Sequence, residues 1–390
     1  MKITKIDLLH SEPVEDGWRP IFVRVYTDEG IYGDGEVALS YGGIDNAAFG
    51  MLQDMAPKLI GMNPLENEKI WNKLYYGCFW GYNGGPVVFG AISAFDLAMW
   101  DIRGKKFNVP VWMLLGGKLR DSLRAYASQL QMGWGVGRHH ATSPQDYAQV
   151  TKTAMEKGFD AVKINFTTFK EDGTPYSKFD QAPYLSQDYM NLIEARLKAV
   201  RDTLGPNGDI ILENHSLTDK LSATQMGNMA KKYRIMYFEE PTAPHADNLA
   251  YIHEHTGIPV ATGERMYSRW QFKDRLDKGA VQVIQPDLGT CGGITEVKKI
   301  CDMAYVYEAA VQIHVCGSPL VTAASLQMEA AIPGFIIHEY NVNTEMPKML
   351  GLTTRTYEPI NGRMPIPDLP GLGNEIAPST FEHSEVIHIG

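Results

Sequence analysis

The sequence predicts an α/β fold, an eight-stranded barrel of alternating strands and helices preceded by a smaller α+β unit. Three observations carry that expectation. Six residues able to do chemistry recur at nearly constant intervals: Glu213, Glu239, Glu264, Asp287, His314 and Glu339 lie 26, 25, 23, 27 and 25 residues apart. Each follows or sits within a short apolar run, DIILE, IMYFE, PVATGE, VQVIQPD, AAVQIH and GFIIHE. A strand of about five residues, a helix of about 10–12 and two short loops fill about 25 residues, the βα unit of a barrel. The second observation is a different pattern up to residue 115, three strands and then three helices, which is α+β order. The third is that no clear helix follows the eighth strand, where the chain reads MPIPDLPGLGNEI instead.

Taken in order, residues 2–9 and 21–27 alternate as strands, and DEG is the turn leading to a third strand in IYGDGEVA. Helical periodicity follows over 45–59, 65–76 and 87–107, the last with Ala91, Ala94, Phe95, Ala98 and Met99 along one face and Pro110 beyond its end. These elements form the first domain, 1–115. The barrel, 116–355, begins with the strand LRAYAS; Ser143 and Pro144 then supply a cap and a first-turn proline, and Gly158 stops the helix. The strand DAVKIN precedes a polar insert over 166–185, which reads as a loop over the barrel mouth. Helices near 186–204, 222–233, 245–256, 268–278, 294–309 and 318–331 separate the later strands. The segment 356–390 is expected to return to the first domain.

The bulk properties narrow the function. A chain of 390 residues that is 44% hydrophobic buries a large core. A net charge of −10 with no basic run argues against nucleic acid and anionic membrane surfaces as partners, but not against an anionic substrate beside a bound metal. Cys78, Cys291, Cys301 and Cys316 make no CxxC pair, which suits a reducing cytoplasm. No apolar run approaches membrane-spanning length, so a cytoplasmic enzyme is the expectation.

Acidic groups and a histidine at the C-terminal ends of successive parallel strands converge on one mouth, where barrel enzymes keep their chemistry. Three consecutive carboxylates, Glu213, Glu239 and Glu264, suit a hard cation such as Mg2+; separate solvated residues are the plain alternative. Neighbouring strand residues face opposite ways, so at most one glutamate of FEEP points inward, and Glu240 is expected at the surface or behind the site. Asp287 and His314 end adjacent strands, and a carboxylate on one imidazole nitrogen raises the basicity of the other, as a general base requires. Lys163 could stabilise negative charge or form a Schiff base, and His215 shares the face of Glu213 as a candidate acid. His139 and His140 read as solvated loop residues. The GTCGG stretch lacks the spacing of a dinucleotide fingerprint and is a weak phosphate signal.

With AFDLAMWDIRGK, AVKIN, FEEP, ATGERMYSRWQFK, IQPDLGTCGGITEVKKI and PGLG, essentially the whole chain resembles the enolase superfamily in its mandelate racemase subgroup. It is most similar there to acid-sugar dehydratases of the D-galactonate and D-mannonate dehydratase kind. The resemblance implies a modified TIM barrel, (β/α)7β, with an α+β capping domain formed by the N-terminal region and the C-terminal tail. It makes Glu213, Glu239 and Glu264 the Mg2+ ligands, His314 the base oriented by Asp287, and Glu339 a hydrogen-bonding partner of the substrate carboxylate or intermediate. His215 matches the histidine that protonates the leaving hydroxyl. Two positions depart from the family pattern: Asn165 stands where a second lysine is common, and Glu213 where aspartate is common. Loss of a base on the second face argues against racemisation.

The function expected is therefore β-elimination of water from an aldonic or aldaric acid to a 2-keto-3-deoxy acid. His314 takes the α-proton, Lys163 and the metal stabilise the enediolate, and His215 protonates the departing 3-hydroxyl. Asn165, with Trp18, Arg19 and Tyr41 from the cap loops, is placed at the substrate. The rivals are an epimerase or cycloisomerase on an acid sugar in the same fold, a Schiff-base aldolase on Lys163, and a non-catalytic sugar-acid binder. A homo-oligomer is expected.

Overall fold

The structure, a computed structural model, describes residues 1–14, 17–134, 139–341 and 345–390. Strands Ile3–Ser11, Ile21–Thr27 and Tyr32–Val37 pair antiparallel in chain order, and Ser384–Ile389 adds to the free edge of the first. Helices Asp45–Met55, Asn67–Tyr76 and Pro86–Phe107 cover this four-stranded sheet. The last of them departs from the one-faced expectation. Phe89, Ile92, Phe95, Leu97, Met99 and Ile102 are all buried, so burial runs round its circumference. The reason is position: it packs against the cap sheet on one side and the barrel helix Gly293–Val306 on the other.

Among the described residues eight short parallel strands follow: Ser122–Ser128, Ala161–Ile164, Asp209–Glu213, Ile235–Glu239, Val260–Thr262, Val283–Ile284, Ala310–Val311 and His338–Asn341. The first seven pair in chain order, and the eighth pairs back onto the first. The remaining seam, between the seventh and eighth, is closed by a parallel bridge from Val311 to Phe335 and by Ile336 N–H donating to Val311 O at 3.0 Å. Ser143 and Pro144 do start a helix, Pro144–Glu156, whose cap is a reciprocal box between Ser143 and Asp146.

Residues 356–390 touch both units. Arg363–Pro365 pairs antiparallel with the foot of the first barrel strand, and Ser384–Ile389 completes the cap sheet. Among the described residues no helix is long and apolar enough to cross a membrane.

Candidate active site

The two-residue pleat of the strands builds the site in layers. Tyr126, Ala161, Ile211, Tyr237, Ala261, Val283 and Ile337 form a buried cluster. Two positions further along their strands stand Ser128, Lys163, Glu213, Glu239 and Glu339, all buried. Glu213 and Glu239 are partners in the register of the third and fourth strands. Glu264 lies two residues past the fifth, and Asp287 and His314, past the sixth and seventh, are themselves bridged in parallel.

One carboxylate oxygen from each of Glu213, Glu239 and Glu264 lies within 4.8 Å of the other two. Both oxygens of Glu213 and Oε2 of Glu239 are buried without a hydrogen-bond partner. Burial pushes the Glu213 carboxyl up to about 7 and that of Glu239 up to about 8. Burial works against Glu264 too, but Arg265, His314, His215 and Lys163 outweigh it and hold that group at about 2. Crowded, buried and under-bonded oxygens of this kind fit a hard divalent cation, which needs oxygen ligands and relieves their mutual repulsion.

Lys163 Nζ sits 2.5 Å from Glu239 Oε1, 2.8 Å from Glu339 Oε1 and 3.5 Å from Glu213 Oε2. Burial opposes its charge, yet the four surrounding carboxylates raise the ammonium well above its ordinary value. A Schiff-base lysine must be neutral to attack, so this cage disfavours the aldolase. Glu339 also accepts from Ser128 Oγ at 2.7 Å and, through Oε2, from Val315 N–H at 3.1 Å. Lys163, His314 and the Ser128 hydroxyl overcome its burial and hold it at about 2.

His314 Nδ1 is 2.7 Å from Asp287 Oδ2, and its Nε2 is 3.3 Å from Glu264 Oε2. Burial favours the neutral ring, but Glu264, Glu339 and Asp287 carry it up to about 10. Glu264 is the first of those causes and is also one of the three clustered carboxylates, so a cation held there would offset much of its pull. Asp287 is fixed by its own loop, Oδ1 accepting from Gly289 N–H at 2.6 Å.

The GTCGG stretch serves that loop rather than a phosphate. Ser93 Oγ of the cap accepts from Gly292 and Gly293 N–H at 2.8 and 3.1 Å, and Trp71 Nε1 donates to Gly292 O at 3.0 Å. Asp96 accepts from Thr295 N–H at 2.9 Å and from its hydroxyl at 2.5 Å. The cap is thereby clamped to the loop that carries Asp287.

Across the mouth, His215 Nε2 lies 3.1 Å from Glu213 Oε1, and Asn165 Nδ2 lies 3.0 Å from His215 Nδ1. Asn165 Oδ1 accepts from the N–H and hydroxyl of Thr167 at 2.8 and 2.7 Å, which fixes the amide. Its NH2 therefore donates to Nδ1, and the neutral ring carries its proton on Nε2. Burial lowers the His215 pKa, favouring that neutral form. Asn165 contacts this histidine where the sequence placed it at the substrate.

Of the cap residues, Trp18 stacks on Tyr41 with ring centroids 4.7 Å apart, and Cys316 Sγ contacts the Tyr41 hydroxyl at 3.7 Å. Tyr41 thus reaches the loop after His314. Arg19 does not: its guanidinium is engaged by Ser11 O and Asp45 within the cap. His139 and His140 are exposed, as expected, with His140 stacked on Phe169 at 4.0 Å.

One residue was missed from the sequence. Arg265 pairs with Glu264 and lies 3.3 Å from Glu240 Oε2; a cation directly after a candidate ligand in GER was the available signal. Glu240, expected near the surface or behind the site, is fully buried behind it.

Comparison with known proteins bears on the family and the fold. Residues 17–116 match the mandelate racemase / muconate lactonizing enzyme N-terminal domain, and residues 146–380 match the enolase C-terminal domain-like family. A D-galactonate dehydratase of Variovorax paradoxus (strain S110) is 33% identical over 343 residues, 88% of this chain and 82% of that protein. A solved member of the enolase superfamily from Salmonella Typhimurium is 43% identical with a TM-score of 0.97, covering 100% of both chains. A mandelate racemase/muconate lactonizing enzyme from Jannaschia sp. CCS1 is 29% identical with a TM-score of 0.87, over 99% of this chain and 98% of that one. The chain belongs to the mandelate racemase / muconate lactonizing enzyme family of the enolase superfamily, a family whose members use a divalent metal.

Proposed function

We propose that this chain is a hydro-lyase that removes water from an aldonic or aldaric acid, giving a 2-keto-3-deoxy acid. The observation that carries the proposal is the pair of histidines on opposite sides of the carboxylate cluster, each with its own orienting partner. His314 is held by Asp287 at 2.7 Å and His215 by Asn165 at 3.0 Å. The name of the Variovorax paradoxus relative supports the substrate class.

Glu213, Glu239 and Glu264 would hold Mg2+, which supplies positive charge beside the substrate carboxylate when bound. His314 Nε2, made basic by Asp287 on Nδ1, takes the proton α to that carboxylate. Lys163, already charged and caged, offsets the negative charge that grows on the carboxylate oxygens. Glu339, ionised and tied to Ser128, aligns the carboxylate through Lys163, whose ammonium it holds at 2.8 Å. His215 delivers a proton from Nε2 to the 3-hydroxyl as the C–O bond breaks. It does so as the imidazolium, Nδ1 having taken up a proton in place of the hydrogen bond from Asn165, and is left as the neutral ring. The enol then tautomerises to the keto acid. Asn165 cannot take a proton, so the second face of the substrate lacks a base and epimerisation is the weaker alternative. Tyr41 and Trp18 border the far end of the substrate. Four free thiols suit a cytoplasmic location, and self-association through exposed rings near Trp80 belongs to the same proposal.

Purified protein with Mg2+ is to be screened against an acid-sugar library with semicarbazide detection of keto acid. His314→Asn is expected to abolish both dehydration and α-proton exchange in D2O. His215→Asn should slow dehydration by about 10²–10⁴-fold yet still exchange that proton with retained configuration. Exchange in the first variant but none in the second would reverse the assignment. Inverted substrate would favour the epimerase, and binding without turnover of any acid sugar a non-catalytic binder.

A further inference from the structure

His215 stands on an unusual backbone. It and Ser216 have φ of 49° and 58°, and Glu240, in the next βα loop, has φ of 42°. All three carry a Cβ and are disfavoured there, so the surroundings must hold them. Ser216 N–H donates to Glu240 O at 2.8 Å, and Ser216 Oγ donates to Glu240 Oε2 at 2.5 Å. The Glu240 carboxylate is fully buried and fully used. Oε1 accepts from the Thr262 hydroxyl and from Gly263 N–H at 3.2 Å, and Oε2 also faces Arg265 Nη1 at 3.3 Å. One side chain therefore ties together the loops after the third, fourth and fifth barrel strands, which carry His215, Glu240 itself and Glu264.

We propose that Glu240 is a positioning residue: through Ser216 it holds the left-handed turn that aims His215 at the leaving hydroxyl. Asn165 orients the ring, and Glu240 orients the backbone beneath it. This inference rests on the acid role of His215 given above. A carboxylate is required because its two oxygens accept from four donors at once, whereas an amide has a single accepting oxygen. With that oxygen towards Arg265 and Ser216 its NH2 meets the Gly263 N–H, and turned over it meets Arg265 and Ser216 with a donor.

The test uses Ser216→Ala, which deletes a single hydroxyl, and the isosteric Glu240→Gln. Both are expected to slow dehydration about 10–100-fold while α-proton exchange in D2O stays within about threefold of wild type. A merely structural role would lower elimination and exchange together, and that result overturns the proposal. Crystal structures of the two variants read the same point without turnover, so they decide even if the wild type dehydrates no acid sugar. Residues 215–216 are expected to leave the left-handed region and His215 Nε2 to leave Glu213 Oε1, now 3.1 Å away. An unmoved His215 in both variants overturns the proposal. Failure of the wild type to make any keto acid would instead sink the dehydratase assignment.

Discussion

Asn165 stands where a second base would have stood, and its amide is fully engaged. Thr167 pins the oxygen and leaves the nitrogen to donate to His215 Nδ1. Replacing it by leucine frees the ring to adopt the wrong tautomer. Asn165→Leu is expected to slow dehydration about 10–100-fold and to leave α-proton exchange in place; unchanged dehydration would remove the amide from the mechanism. The carboxylate cluster makes a second residue-scale prediction. Mg2+ should raise the melting temperature of the EDTA-treated protein, by the equivalent of about 2.7 kcal/mol at a hundredfold excess over its Kd. Glu239→Gln should lose both this shift and turnover, and full wild-type activity after EDTA treatment and dialysis would refute a metal site. Glu213, Glu239, Glu264, Asp287 and His314 were legible because strand period and residue type coincide at each. Arg265, the partners of Glu240 and the Asn165–His215 contact were not, because they join loops from different βα units, and no period links such positions.

At the scale of elements, the loop after Asp287 shows how the cap is fastened. Gly293 has φ of 75°, and a Cβ built on it would lie 2.4 Å from Asp96 Oδ2. Alanine there meets both an unfavourable backbone and a buried carboxylate already bonded to Thr295. Gly293→Ala is expected to cost on the order of 1–3 kcal/mol, read as a lower urea midpoint; an unshifted midpoint would show that the clamp is loose. The same loop explains one limit of the sequence. GTCGG announced a tight approach, but a close approach to what was visible only once helix Pro86–Phe107 lay beside it. That helix was read as one-faced because a 3.6-residue period reports one buried stripe, and a helix packed on two sides blurs it. Strand existence was legible almost throughout. The sixth and seventh strands, Val283–Ile284 and Ala310–Val311, are short because their apolar runs continue as irregular backbone towards Asp287 and His314.

For the whole molecule, the seam between cap and barrel holds two wholly buried acids. Burial pushes Glu36 from 4.5 up to about 7, against donors from Ser318 and Val321 and with Asp287 adding to the rise. Asp96 moves from 3.8 up to about 7 by burial, with Thr295 and Lys299 opposing and Glu68 adding. A carboxyl raised on folding binds more protons in the native state. Its stabilisation is thus present below about pH 4 and lost as pH rises through about 7. The urea midpoint is expected to fall between pH 5 and 8 and to fall less in Glu36→Gln; identical pH profiles would refute the contribution. On the outer surface, Trp270, Tyr75, Tyr76, Tyr82, Phe79 and Trp80 form one connected set of ring contacts, ending in Trp80 at 91% exposure. At roughly 200 Å² per ring, the five exposed ones leave on the order of 600 Å² uncovered. Two copies meeting there would bury about 1,200 Å², the lower edge of a standard interface. A second copy is the expected occupant, and the double substitution Phe79→Ser, Trp80→Ser should lower the molar mass seen by light scattering; an unchanged mass would place any self-contact elsewhere. The cap sheet, finally, pairs Asp7 with His388, 381 residues apart. At about 5–20 residues per second, the ribosome delivers the second of these strands roughly 20–80 s after the first. During synthesis the barrel can therefore close and fold while Ile3–Ser11 waits with a bare edge, and it is in that interval that the nascent chain is most open to pairing with a neighbour.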